Sequence, residues 1–122
     1  LSRGLGDVYK RQVYCSPDEK RIYLHGKDMR GAIYAIYTFS ELFLEVPPLW
    51  YFSSWEPQYK KQVEIQSDFD YFQKSPQVRY RAWFPNDTDL FSPWRRLSKE
   101  NNELWLETML RLKLIVGSVR CV

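Results

Sequence analysis

The stretch VRYRAWFPNDTDLFSPW, residues 78–94, begins as a strand and ends in a knot of acids and amides. Residues 78–84 read as the strand, and Pro85 ends its ladder, because a proline has no N–H to donate. Asn86 and Asp87 then project from the strand's C-terminal rim, with Asp89 just beyond. Further along, Asn101 or Asn102 opens a helix in which Leu104, Trp105, Thr108, Met109 and Leu112 form one stripe. Arg111 and Lys113 in its last turn suit the helix dipole. Strand, acid-rich loop and helix make one β/α unit, as at the opening of a (β/α)8 barrel, where the loops after the strands carry the chemistry. On spacing alone a plainer reading competes, in which Asn86 and Asp87 form an Asx-type turn and Asp89 is solvated. A calcium loop fits less well still, since the run lacks the Gly and the distal Glu of an EF-hand.

Working outward toward the N-terminus, residues 66–76 are polar, carry Ser75-Pro76, and read as a linker and domain boundary. Before it, Gln62 to Ile65 (QVEI) reads as a strand. The run LWYFSSW, with Trp50, Tyr51, Phe52 and Trp55, is a short aromatic strand or loop after Pro47 and Pro48. The segment GKDMRGAIYAIYTFSELF predicts a helix over 29–43 with Asp28 as N-cap and apolar positions Ile33, Ile36, Tyr37, Ser40 and Phe43 at helical steps. Gly26 and Gly31 stand at its entrance, where a strand must turn sharply and the helix backbone must lie close to its neighbour. GKDMRG matches no phosphate-binding glycine pattern. Val13 and Tyr14, the turn SPDEK and the alternating RIYLHG predict a β-hairpin. The fold class is α/β. A hairpin, helix and short strands of an α+β accessory domain (residues 13–74) precede the first β/α unit of a barrel (residues 75–115).

The ends of the chain distort its bulk properties. Residue 1 is leucine, and the opening LSRGLGDVYKRQ and closing VGSVRCV resemble translated sequencing-adapter DNA. Residues 1–12 and 116–122 are therefore expected to be foreign tails that add nothing to folding, with the natural termini elsewhere. The formal net charge of +3 is supplied entirely by Arg3, Lys10, Arg11 and Arg120 against Asp7, which leaves the middle of the chain neutral. A nucleic-acid partner then loses its main support, a clustered surplus of Lys and Arg.

Aromatic residues make up 17% of the chain, more than a minimal core needs, so some are expected to line a surface or cleft; the plainer reading is that they fill a β-rich core. His25 is the single histidine and reads as an ordinary polar strand residue, so no His/Cys metal cluster can form and no metal or cofactor is expected. Cys15, with Cys121 in the suspect tail, reads as a small packed thiol. No run of about 18 apolar residues is present, so no membrane span is expected.

In order and spacing, several of these segments resemble the junction between N-terminal domain and barrel in glycoside hydrolase family 115, the xylan α-glucuronidases. Gly26, Asp28, Arg30 and Gly31 match its Gly-x-Asp-x-Arg-Gly, and Ile33, Tyr34, Ile36, Tyr37, Ser40 and Glu41 match the helix that follows. Trp50 and Tyr51 match its aromatic loop, and Ser75, Pro76, Val78, Tyr80 and Arg81 its first barrel strand. Asn86 and Asp87 match its Asn-Asp-Glu, and residues 110–113 the end of its helix. Ala82 stands where the family has Gly, Thr88 where it has Glu, and Trp83 and Pro85 where it has smaller aliphatic residues, departures that fit a divergent branch of the family.

The resemblance implies an exo-acting hydrolase that removes α-1,2-linked glucuronic acid, or its 4-O-methyl ether, from glucuronoxylan with inversion. It implies Asn86 and Asp87 as substrate-binding rim residues, with the general acid and base further along the barrel. Asp87 and Asp89 do not suit that pair, because inverting carboxyl groups stand about 6.5–9.5 Å apart and barrel acids come from different strand ends. A homodimeric, secreted or periplasmic parent enzyme is also expected, and no activity of this chain alone. Two other classes fit the same residues: a non-catalytic carbohydrate-binding module with Trp50, Tyr51 and Trp55 as a flat platform, or the accessory region of another barrel glycosidase such as a β-hexosaminidase.

Overall fold

The computed structural model describes residues 9–83 and 98–117. In chain order it has strands β1 (Arg11–Ser16) and β2 (Arg21–Gly26), helix α1 (Met29–Phe43), a 3-10 turn (Trp50–Phe52), strands β3 (Asp70–Gln73) and β4 (Ala82–Trp83), helix α2 (Lys99–Arg111) and strand β5 (Val116–Gly117). The architecture is mixed α/β: a three-stranded antiparallel sheet in the order β2-β1-β3, and a two-stranded parallel pair, β4-β5, connected through α2.

The hairpin forms where its turn residues place it. Pro17 presets the first turn position, the Lys20 N–H donates to the Pro17 carbonyl at 3.3 Å, and Lys20 takes a left-handed φ of 50° before the ladder starts at Ser16↔Arg21. Val13, opposite Leu24 on one side and Tyr71 on the other, is fully buried at the centre of the sheet. Helix α1 covers that face with Gly31, Tyr34, Ala35 and Thr38. The expected stripe is off by part of a turn: Ser40 is buried as read, but Ile36 is exposed, and Tyr34 with the small or polar Gly31, Ala35 and Thr38 takes the other buried positions. The helix touches a sheet on one side and α2 on another, and close approach to both favours Ala, Gly, Ser and Thr over bulk.

Asp28 caps α1 as predicted, its Oδ1 accepting from the Gly31 N–H at 2.6 Å. Its Oδ2 accepts from the Tyr9 N–H at 2.9 Å. The close approach read from Gly26 and Gly31 is also present. A Cβ on Gly26 would overlap the backbone N of Ala32 and carbonyl carbon of Gly31, and one on Gly31 would sit 2.6 Å from the Lys10 carbonyl oxygen.

Several expectations are corrected. The supposed linker contains β3, whose Asp70–Gln73 pairs with β1 from Tyr14↔Asp70 to Arg11↔Gln73. Residues 62–65 keep the alternation of a strand, with Val63 and Ile65 half-buried and Gln62 and Glu64 exposed, but carry no ladder. Residues 78–84 form a ladder over Ala82–Trp83 within the described part. Helix α2 starts earlier than read, at Lys99, because Ser98 rather than an asparagine is its N-cap and accepts from the Asn101 N–H at 3.2 Å.

The segments set aside as tails are not idle where they are described. Arg11 and Gln12 pair on both sides, the Lys27 N–H donates to the Lys10 carbonyl at 3.0 Å, and Arg11 Nε donates to Thr38 Oγ1 at 3.0 Å. Burial lowers the Arg11 pKa from its ordinary value. Val116 and Gly117 pair in parallel with Ala82 and Trp83. The physical reason is that a ladder is built from backbone N–H and C=O groups, which every non-proline residue carries whatever its origin.

Candidate functional site

A parallel pair connected through a helix has two chemically distinct ends. Because β4 and β5 run the same way, α2 must run back against them, so its N-terminus lies at the strands' C-terminal end and its C-terminus at their N-terminal end. Each end is lined by different residues.

The N-terminal end is a clamp on backbone carbonyls. Helix α2 stops in a Schellman motif: the Lys113 N–H donates to the Leu110 carbonyl at 3.0 Å and the Leu114 N–H to the Met109 carbonyl at 2.9 Å, with Lys113 at a φ of 58°. The carbonyls of Lys113 and Leu114 then point away from the helix, toward cationic and hydroxyl donors. Arg81 donates to the Lys113 carbonyl through Nε at 3.1 Å and Nη2 at 2.8 Å, and to the Val78 carbonyl through Nη1 at 2.8 Å. The fully buried Tyr34 donates its hydroxyl to the Leu114 carbonyl at 2.8 Å, with Arg30 Nη1 3.4 Å from both. The Tyr34 hydroxyl raises the Arg30 pKa. The Ile115 N–H closes the arrangement on the Arg81 carbonyl at 2.9 Å.

Beside the clamp, α1 and α2 are tied by charge. Arg111 pairs with Glu107 at 2.7 Å, donates to Ser40 Oγ at 3.1 Å and stands 4.8 Å over the Tyr37 ring. Lys113 Nζ reaches Glu41 at 2.9 Å. The two cations read as dipole partners at the end of α2 thus also join it to α1. Under α2, Trp105, Thr108 and Met109 are buried as read, and the Thr108 hydroxyl is satisfied by the Leu104 carbonyl at 2.9 Å.

The C-terminal end is aromatic. Trp83, the last residue of β4, lies 5.7 Å from the Trp105 ring and 5.3 Å from the Phe52 ring, tilted 58° to the latter. Tyr51 meets Phe52 edge-on at 5.2 Å and donates its hydroxyl to Asn101 Oδ1, in the first turn of α2, at 2.9 Å. Burial raises the Tyr51 pKa. The 3-10 turn is thereby fastened to the end of β4 from which the chain continues toward Asn86 and Asp87. Trp50 and Tyr51 meet at 69°, so these two rings share no flat plane of the kind a stacking platform requires.

Asn86 and Asp87, the substrate-binding residues read from the sequence, lie outside the described residues, as does Asp89. Several of the residues that carry the family resemblance have a part in packing. Gly26 and Gly31 allow close approach, Asp28 caps, and Arg30, Tyr34 and Arg81 hold the turn before β5. Sequence reasoning missed the clamp because its acceptors are backbone carbonyls, those of Lys113 and Leu114 lying 32 residues from Arg81 and 80 from Tyr34, which no side-chain pattern reports.

His25 is exposed and sits opposite Gln12 in the ladder, and Cys15 is a free, half-buried thiol in β1. Among the described residues no group of three His, Cys, Asp or Glu side chains comes together that could hold a metal ion. No helix among them is long and apolar enough to cross a membrane. Among known proteins, no family model matches the chain and no curated protein matches it.

Proposed function

We propose that this chain belongs to a glycoside hydrolase that removes α-1,2-linked glucuronic acid, or its 4-O-methyl ether, from glucuronoxylan by inversion. In this reading β4, α2 and β5 are the opening β/α unit of a (β/α)8 barrel, and the antiparallel sheet with α1 is part of the accessory domain before it. The observation that carries it is the return of the chain through α2 to run parallel to β4, which begins inside residues 75–115 with the Ile115 N–H on the Arg81 carbonyl at 2.9 Å. Parallel strands occur almost always in sheets covered on both faces, and a two-stranded parallel pair is too small to stand alone. Here Val78 and Tyr80, in the segment leading into β4, remain 61% and 69% exposed, which is the surface that further strands of a barrel would cover.

Asn86 follows Trp83 by three positions, on the C-terminal side of β4. Loops on that side of a parallel barrel meet substrate, and a carboxylate beside an amide suits sugar hydroxyls, which donate to one and exchange hydrogen bonds with the other. The general acid and base are supplied by later strands of the parent enzyme. The family resemblance, carried by motifs in the same order along residues 22–114, supports the substrate class.

The test is made on the parent enzyme expressed from the extended gene, with glucuronic acid release from decorated xylo-oligosaccharides as the readout. Asp87→Ala removes a charge-assisted hydrogen bond worth about 1.5–3 kcal/mol, so kcat/KM falls by roughly one to two orders of magnitude while Tm holds. A parent enzyme without this activity overturns the reading. A variant with lowered Tm and normal turnover assigns Asp87 to a turn instead.

A further inference from the structure

The geometry points to a pyranose-stacking subsite made by Phe52 and Trp83 at the C-terminal end of β4, an inference that rests on the carbohydrate reading above and adds to it a contribution from the accessory region. Three observations converge. The parallel register of β4 and β5 identifies which end of the unit faces substrate, and Trp83 is the residue of β4 at that end. The 3-10 turn, remote in sequence, is fastened to the same end, with Tyr51 bonded to Asn101 at 2.9 Å and Phe52 5.3 Å from Trp83. Although Phe52 takes part in ring contacts on either side, it keeps 39% of its surface in water.

Chemistry selects the occupant. The opposite end of the unit turns its arginines and tyrosine hydroxyl onto backbone carbonyls, whereas this end presents ring carbon edged by the Tyr51 hydroxyl and the Asn101 amide, which bond to each other at 2.9 Å. A pyranose has one face of C–H groups and a rim of hydroxyls, which matches an aromatic surface bordered by hydrogen-bonding groups. The 58° between Phe52 and Trp83 makes a notch rather than a plane. A notch takes one sugar ring at a branch or chain end, where a flat row of rings would take an extended chain.

The test is saturation-transfer NMR on the 122-residue chain with three probes: xylotetraose carrying one α-1,2-linked 4-O-methylglucuronic acid, plain xylotetraose, and N,N′-diacetylchitobiose. Irradiating the aromatic protons is expected to saturate pyranose C–H protons of the decorated probe. Phe52→Leu keeps apolar volume against Trp83 but has no ring, and weakens binding about tenfold, while Phe52→Trp restores it. The absence of transfer to all three sugars, or equal binding by Phe52→Leu, overturns the subsite. Phe52-dependent transfer to chitobiose alone upholds the subsite and removes the glucuronidase reading. Transfer to the decorated probe that ignores Phe52→Leu does the reverse.

Discussion

Replacing Gly26 by alanine tests the packing that holds the accessory fold together. The added Cβ would overlap the backbone N of Ala32 and lie 2.5 Å from its Cα. With Ala32 N only 1.9 Å away, ordinary contact needs roughly 1.5 Å more, so α1 must withdraw from β2 along its first turns. That displacement loosens the contacts of Tyr34, Ala35 and Thr38 with the sheet, all of them buried. Inserting a methyl into a closely packed site costs about 1–3 kcal/mol where side chains can yield, and the obstacle here is backbone, so about 3 kcal/mol or more is expected. A loss of about 3 kcal/mol is a large share of a small domain's stability and lowers Tm by roughly 12–24 °C. Urea unfolding followed by tryptophan fluorescence measures it. The double variant Gly26→Ala/Ala32→Gly should be no better, since the obstructing atoms belong to the main chain. A Gly26→Ala midpoint within about 0.5 kcal/mol of the parent chain would refute the close approach of β2 and α1.

Three other outcomes follow from the same structure. Gly31→Ala should destabilise the chain despite the gain of about 1 kcal/mol in helix propensity, because its Cβ meets the Lys10 carbonyl; in a variant lacking residues 1–10 the effect should reverse sign in urea unfolding. Tyr34→Phe should cost about 1–2 kcal/mol by leaving the Leu114 carbonyl with the longer Arg30 contact, and should speed amide exchange at Ile115 more than at Val13. Glu100, near the start of α2, has its pKa lowered from 4.5 by hydrogen bonds from its own N–H and from Ser98. Its contribution is therefore complete above the unfolded value and lost as pH falls through the folded one, so Glu100→Gln should flatten the acid side of the stability profile below about pH 4.5.

Local chemistry made part of this protein legible from its sequence alone. The SPDEK turn and the alternation around it give the hairpin, because turn residues and period-2 burial act within a few positions. Asp28 and the two glycines mark the entrance to α1 for the same reason, and the buried stripe Trp105, Thr108 and Met109 follows from helical spacing. Tertiary structure decided the rest. Residues 70–73 are a strand because β1 offers them a free edge from across the chain, with Gln12 bonded to Asp70 at 2.8 Å, whereas the more strand-like 62–65 meets no ladder. Residues 11 and 12, set aside on composition, are recruited by backbone pairing that is indifferent to side chains. The two ends of the β4–α2–β5 unit acquire their separate characters in the same way: Arg30, Tyr34 and Arg81 become a clamp, and Phe52 joins Trp83, when a parallel register brings distant segments together. A sequence pattern reports what a residue prefers locally, and the partner that satisfies it is chosen by the fold.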